Sequence, residues 1–365
     1  MNIYSSRWRN SLKESQVTIR ESSYGKYRVV TQNFPNEPRA LSKNIRTFRN
    51  ITNLTLKNSQ QEVKPKVIER TRNNLSIKPI MNYSFGVSYE GLLTAKQKDV
   101  IPKGNPQECI EYASEIYRHM KTIEREYRID ANYMKRQKEI NTTMRAILID
   151  WLVDINVRFK FRSETLFLTV NILDRYLQKE EVSKSKLQLV GITAALIASK
   201  CEEIYPPKVK HFLHTTNYVY SVKDVLEMEG KILNALDFKL NFPSSNRFLQ
   251  EFSKHLPSSK KTLFLAQFLL ELSLLESEML KYQFSLTAAS ALYVAKKATS
   301  DTTGIKNTMQ VTGYTEIDLR DCKRDMVKIL KELPKGTLSA VKRKFSSVKC
   351  MEVAGIKIPN TNRLS

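Results

Sequence analysis

An all-α fold is what this chain predicts, and three observations carry the prediction. Glycine is scarce, at 10 in 365 residues. Long stretches of Leu, Ile, Ala, Lys and Glu repeat at helical spacing. Two blocks of sequence also recur about a hundred residues apart. Thr165-Leu166-Phe167-Leu168 returns as Thr262-Leu263-Phe264-Leu265, and Ala195-Leu196-Ile197-Ala198-Ser199-Lys200 is echoed by Ala291-Leu292-Tyr293-Val294-Ala295-Lys296. The offsets, 97 and 96 residues, agree across two helices. A period of that size marks a duplicated domain, whereas a solenoid repeats every few tens of residues.

Residues 1–103 carry 19 Lys/Arg against 7 Asp/Glu and are rich in Asn, Ser and Thr, with prolines at Pro35, Pro38, Pro65, Pro79 and Pro102. That composition buries too little apolar surface to fold and predicts a disordered basic arm. Order is expected to begin near Asn105-Pro106, where proline at a first helical position starts a helix. Its apolar face is Ile110, Ala113, Ile116, Tyr117 and Met120. This N-terminal helix and a linker fill residues 104–140. A first five-helix copy spans 141–241, with helices at 141–159, 164–178, 185–204, 208–216 and 221–236. Pro206-Pro207 stops the third of these, since proline cannot continue a helix. The third helix is nearly all apolar between Leu187 and Ser199, which makes it central to its copy. Its apolar run falls short of the roughly 18 residues of a membrane span. Gly191 within it suits the close approach of a neighbouring helix. Phe242-Pro243-Ser244 marks the seam, with Ser244 or Ser245 placed to cap the next helix. The second copy spans 242–347, and 348–365 is a tail.

The helix at 141–159 has two apolar faces. Met144, Ile147, Leu148, Trp151 and Ile155 form one stripe, and Ala146, Ile149, Val153 and Val157 another. Either the helix is central and wrapped on all sides, or one stripe stays exposed as a docking patch. In the fifth helix, Val222, Val225, Leu226, Ile232, Leu233 and Leu236 read as a buried stripe with Glu229 in its middle, and such an acid needs a partner. Lys200 lies on the line of Leu189, Thr193 and Leu196. If the two helices are neighbours, ammonium and carboxylate meet near each other and near a third party. The plainer alternatives are a lysine at a helix C-terminus and an internal salt bridge. Asp174, on the line of Leu166, Val170 and Leu177, finds its candidate partner in Arg145, and a structural role is favoured for that pair.

The net charge of +23 raises a nucleic-acid reading, but the excess is spread over arm and body without a long basic run. Direct nucleic-acid binding is not expected. Cys109, Cys201, Cys322 and Cys350 are far apart and form no CxxC pair, so they are expected to be reduced thiols. His211 and His214 fall three apart without further ligands and are expected to be ordinary surface histidines; no metal and no cofactor is predicted. No catalytic motif is present, neither GxSxG, a glycine-rich phosphate loop nor HExxH, so the chain is not expected to be an enzyme. The first residues lack the apolar core of a secretory signal, and no membrane association is expected. The expected location is nucleus and cytoplasm.

Three segments resemble a known family. Met144-Arg145-Ala146-Ile147-Leu148-Ile149-Asp150-Trp151-Leu152-Val153-Asp154, Lys186-Leu187-Gln188-Leu189-Val190-Gly191 and Ala198-Ser199-Lys200-Cys201-Glu202-Glu203-Ile204-Tyr205-Pro206-Pro207 are similar to the cyclin box of mitotic cyclins. Pro106-Gln107-Glu108-Cys109-Ile110-Glu111-Tyr112 and Val341-Lys342-Arg343-Lys344-Phe345-Ser346-Ser347 look more B-type than A-type. The resemblance implies two tandem five-helix cyclin folds after an N-terminal helix. It implies a non-catalytic regulatory subunit that binds and activates a cyclin-dependent Ser/Thr kinase as a heterodimer and controls mitotic (G2/M) entry. By position Lys200, Glu229, Phe238, Leu240 and Glu203 match kinase-contacting residues. Arg145 and Asp174 match an internal salt bridge, and Leu189 a buried leucine. Met144, Ile147, Leu148, Trp151, Leu187 and Gln188 match a substrate-docking patch for RxL-type peptides, with Asp154, one methylene shorter than the usual Glu, placed to receive the peptide's basic residue.

The family also implies a destruction box in the arm, read by a ubiquitin ligase. The candidates are Arg9-Asn10-Ser11-Leu12, Arg72-Asn73-Asn74-Leu75 and Pro38-Arg39-Ala40-Leu41-Ser42-Lys43-Asn44-Ile45. Two other readings stand beside this one: a cyclin-fold scaffold that activates no kinase, disfavoured by the presence of Lys200 and Glu229, and a transcription-factor-like cyclin fold that binds nucleic acid, disfavoured by the missing CxxC.

Overall fold

The computed structural model describes residues 112–301, 307–333 and 338–356. The arm with its three destruction-box-like segments, Asn105-Pro106 and Cys109 lie outside the described residues. Among the described residues all regular structure is helical. Helix α1 (Ala113–Ile123) is followed by a 3-10 turn at Tyr133–Arg136. Five helices then form the first copy: α2 (Thr142–Phe159), α3 (Ser163–Lys179), α4 (Leu187–Glu202), α5 (Val209–Thr215) and α6 (Val222–Ala235). Five more form the second: α7 (Ser245–His255), α8 (Lys260–Leu275), α9 (Phe284–Ala298), α10 (Thr308–Thr312) and α11 (Glu316–Glu332). A short α12 (Ala340–Phe345) and two 3-10 turns close the described chain.

Helix ends follow local chemistry. The side chain of Asn141 accepts from the Met144 amide at the start of α2, and Ser244 accepts from the Arg247 amide at the start of α7. Ser221 with Asp224 and Thr315 with Asp318 form capping boxes at α6 and α11. Helix α4 is buried from Leu187 to Ser199 and lies along α3, with α6 and α2 against its other sides. At Gly191 the neighbour is a side chain: a Cβ there would meet Leu148 Cδ1 at 2.8 Å. The glycine therefore lets α2 press its Leu148 into α4.

Helix α2 is the wrapped central helix of the two alternatives. It contacts α3, α4, α8 and α12, so most of both stripes is covered, although Val157 is 48% exposed. The expectation of an exposed stripe is thereby corrected. Met144, Leu148, Trp151 and Ile155 are buried, and Ile147 is half-buried. A second correction concerns α6. Its inward face is Val225, Met228, Ile232 and Leu236, while Val222 and Leu226 point to solvent and Leu233 is half-buried. Val222, Leu226 and Glu229 fall at i, i+4 and i+7, one face of one helix.

Two sets of contacts fix one copy on the other, and a third seats α1 on the second copy. Arg145 on α2, fully buried, forms a two-point ion pair with Asp174 on α3: Nε to Oδ1 and Nη2 to Oδ2, both 2.6 Å. Tyr133 donates to the same Asp174 at 2.7 Å, and Arg145 Nη1 reaches the carbonyls of Leu274 and Leu275 at the end of α8. The pair is buried within the fold, and through Arg145 it also stitches the copies together. On α3, Glu164 accepts from Ser244 at 2.5 Å and Asn246 at 2.8 Å, both at the start of α7. Helix α1 packs on the second copy, with the Tyr117 ring edge-on to Phe248 and Phe252. Lys121 donates to Ser285 and Tyr314 at 2.8 Å and pairs with Glu124.

The duplication is visible in the helices. α8 and α9 stand to the second copy as α3 and α4 to the first, and α9, like α4, is buried along most of its length. The two echoed lysines diverge. Lys296 is fully buried and donates to the Pro257 carbonyl at 2.7 Å, whereas Lys200 reaches solvent.

Candidate functional site

Lys200 closes α4, and Glu229 sits midway along α6. The crossing of these helices brings Lys200 Nζ to 2.6 Å from Glu229 Oε1. Lys200 keeps about half of its side chain in solvent (48%) and Glu229 is mostly covered (14%). The charge of this pair is thus presented outward, on the line where two helices meet.

Large apolar side chains are exposed on the segments that carry this pair. Ile204 and Tyr205, between the end of α4 and Pro206-Pro207, are each 87% exposed. Leu226 on α6 is 50% exposed, and Phe238, just beyond α6, is 65% exposed. Leu240 is half-buried against the core. Phe238 has φ +54°, following Asp237 at +52°. Two successive non-glycine residues in the left-handed region are strained, and here they present an aromatic ring to water. Exposed large apolar groups near an ion pair are a composition common in protein-binding surfaces.

Glu203, grouped with this surface on the sequence, faces inward. Its carboxylate accepts from the Arg162 amide at 2.8 Å and the Thr165 hydroxyl at 2.5 Å, which caps α3. Neighbouring Glu202 is held above its usual carboxylate range by burial and by the charge of Glu164. Cys201 is exposed and unpaired with other cysteines; partial burial and the Glu202 charge push its thiol up. Burial pushes the His211 imidazole below its ordinary value, and a nitrogen of that ring accepts from the Lys208 amide at the start of α5. His214 lies beside Arg158, and no group of three metal-ligating side chains occurs among the described residues.

The expected docking patch is brought together but covered. Met144, Leu148, Trp151, Leu187 and Gln188 are buried, as is Leu189, and only Ile147 and Asp154 reach the surface in part. Helix α12 accounts for part of that cover. The Ala340 amide donates to Asp150 at 2.9 Å, and the Arg343 guanidinium is paired with Asp154. The acid expected to receive a peptide's basic residue is held by an arginine of its own chain.

Sequence reasoning missed Ile204, Tyr205 and the outward turn of Leu226. Signals for them existed. A pair of large apolar residues between a helix end and Pro-Pro has no core face to join, and Leu226 shares its face with Glu229, which marks that face as wet. No local pattern in the sequence tied Tyr133 to Asp174 or Arg343 to Asp154.

Comparison with known proteins agrees with this architecture. The family described as cyclin, N-terminal domain matches residues 115–241, and cyclin, C-terminal domain, matches 243–359. A "G2/mitotic-specific cyclin-B" of Dictyostelium discoideum is 40% identical over 262 residues, 71% of this chain and 60% of that protein. A protein of the same description from Patella vulgata is 36% identical over 276 residues, 75% of this chain and 67% of its own length. The chain thus spans about 60% of the Dictyostelium protein. The X-ray structure of a viral cyclin from herpesvirus saimiri aligns with TM-score 0.52 at 20% identity, covering 58% of this chain and 96% of that one, which is a likeness of fold. Two matched domains, the relatives' identity and the duplicated five-helix fold together place this chain in the cyclin family, among its B-type mitotic members.

Proposed function

We propose that this cyclin is a non-catalytic regulatory subunit that binds and activates a cyclin-dependent Ser/Thr kinase and thereby controls mitotic entry. The observation that carries the reading is the Lys200–Glu229 pair set among Ile204, Tyr205, Leu226 and Phe238. A mobile helix of a kinase laid on this corner would bury the apolar groups and gain charge-assisted hydrogen bonds from the pair. Activation follows if that contact holds the kinase helix where its glutamate meets the catalytic lysine.

Two further roles extend the proposal. RxL-type substrates would dock at Ile147 and Asp154 on the rim of the covered patch, and a ubiquitin ligase would read the arm. Nuclear and cytoplasmic residence accords with both. The test is to pull the tagged chain from dividing cells and assay the eluate for histone-directed kinase activity, with the Lys200→Ala/Glu229→Ala double variant alongside. Activity present in the wild type and lost in the variant is the expected result. A stable kinase partner without activity would favour a scaffold, and unchanged affinity in the double variant would sink the assigned contact.

A further inference from the structure

The duplication provides an internal control for a second surface. In the first copy, Leu166 and Phe167 on α3 are buried, and α7 of the second copy packs on that helix. Their echoes on α8, Leu263 and Phe264, are only half-buried among the described residues. They floor an open groove of about 550 Å³, walled by Lys260 and Gln267 of α8 and by Lys349 and Met351 of the turn after α12.

Its walls have a consistent chemistry. Lys260 and Lys261 stand in the first turn of α8, where the helix dipole disfavours cations, and that turn holds no acid. Neither they nor Lys349 forms an ion pair with another described residue. Beside them Val348 is 81% exposed and Met351 45% exposed. Met351 and Glu352 hold φ +55° and +53°, so the wall is presented by backbone in the left-handed region. An apolar floor under unpaired ammonium groups fits a ligand that is apolar in its middle and acidic at its flanks.

Charge also decides between occupants. The chain's own arm carries 19 Lys/Arg against 7 Asp/Glu, the last nine residues contain Lys357 and Arg363 but no acid, and a second copy brings a net charge of +23. None of these complements a lysine-rimmed groove. We propose that this groove is a docking surface for a short acidic segment of a partner protein, with an apolar side chain over Leu263 and Phe264 and carboxylates against Lys260 and Lys349. It lies on α8 and the turn after α12, not on the α4–α6 corner, and does not depend on the kinase reading.

The probe is a fluorescein-labelled hexapeptide library of pattern acid-acid-apolar-apolar-acid-acid, titrated into the full chain by anisotropy. Two controls accompany it: a library with serine at the apolar positions and a single-stranded oligonucleotide of equal charge. Saturable binding of the apolar library is expected. It should weaken about tenfold or more in Lys260→Glu/Lys349→Glu and in Phe264→Ser, with circular dichroism unchanged. The exposed lysine pair keeps the test open should the Phe264 variant fold poorly. Absence of saturable binding overturns the proposal, as does equal binding of the serine library. Tighter binding of the oligonucleotide with the same lysine dependence would make the groove a nucleic-acid surface instead.

Discussion

Replacing Asp174 with Asn tests how the two copies are held together. Arg145 is fully buried, and its guanidinium makes two contacts to Asp174 and two to the carbonyls that end α8. Burial opposes its charge, but the charge of Asp174 and the Tyr133 phenol hold its ionisation above the ordinary arginine value. Without Asp174 the cation therefore stays charged in a dry site. Breaking one partner of a buried pair costs about 3–5 kcal/mol. At roughly 2–4 °C per kcal/mol for a domain of this size, the melting temperature should fall by roughly 6–20 °C. Urea unfolding followed by circular dichroism gives the free energy directly. The paired replacement Arg145→Met/Asp174→Leu removes both charges and should recover most of the loss, since apolar substitutes of similar volume are often neutral. A loss below about 1 kcal/mol in Asp174→Asn, which is the size of an exposed pair, would refute the buried-charge reasoning.

Three other outcomes are expected. Gly191→Ala places a Cβ 2.8 Å from Leu148 and should cost about 1–3 kcal/mol by overpacking despite the better helix propensity of alanine; Leu148→Val should restore part of it, and a stabilised single variant would count against the close approach. Glu271 is buried against Lys344, and burial raises its carboxyl above the ordinary 4.5, so the folded state binds a proton that the unfolded chain has released. Stability at this site is thus greatest below that value and declines as pH rises through the raised one, and the melting temperature of the wild type relative to Glu271→Gln should drop from pH 4.5 to 7.5. Arg343→Ala frees Asp154 from a partly exposed pair, and anisotropy with an RxL peptide should show up to about fivefold tighter binding, an effect of at most about 1 kcal/mol; no binding by either protein would count against docking, and equal binding against the arginine's part in it.

Much of this fold is legible in the sequence because its helices carry their own punctuation. Ser244 caps where a helix-start rule puts it, Pro206-Pro207 ends α4 near the expected place, and the 97- and 96-residue offsets map α3 and α4 onto α8 and α9. The Lys200–Glu229 and Arg145–Asp174 pairs were legible for another reason: a charge on an apolar line must find a partner. Periodicity fails where an apolar group serves a surface. Val222 and Leu226 fit the helical repeat as well as Val225 does, and only the packing of α6 on α4 decides which of them is wet. The cover on the α2 stripe was hidden too, because Arg343 lies 189 residues from Asp154 and a tertiary contact of that range leaves no local trace.

The divergent lysines bear on valency. Lys200 and Lys296 occupy equivalent places in the two copies, yet the second is folded inward onto the Pro257 carbonyl as a latch for its own domain. A duplication that kept both ammonium groups outward would present two similar faces, with the avidity and the mixed stoichiometries that follow. Turning one of them into the core leaves only one of the two echoed ammonium groups facing outward, so the proposed kinase contact is expected to form at one copy and not the other.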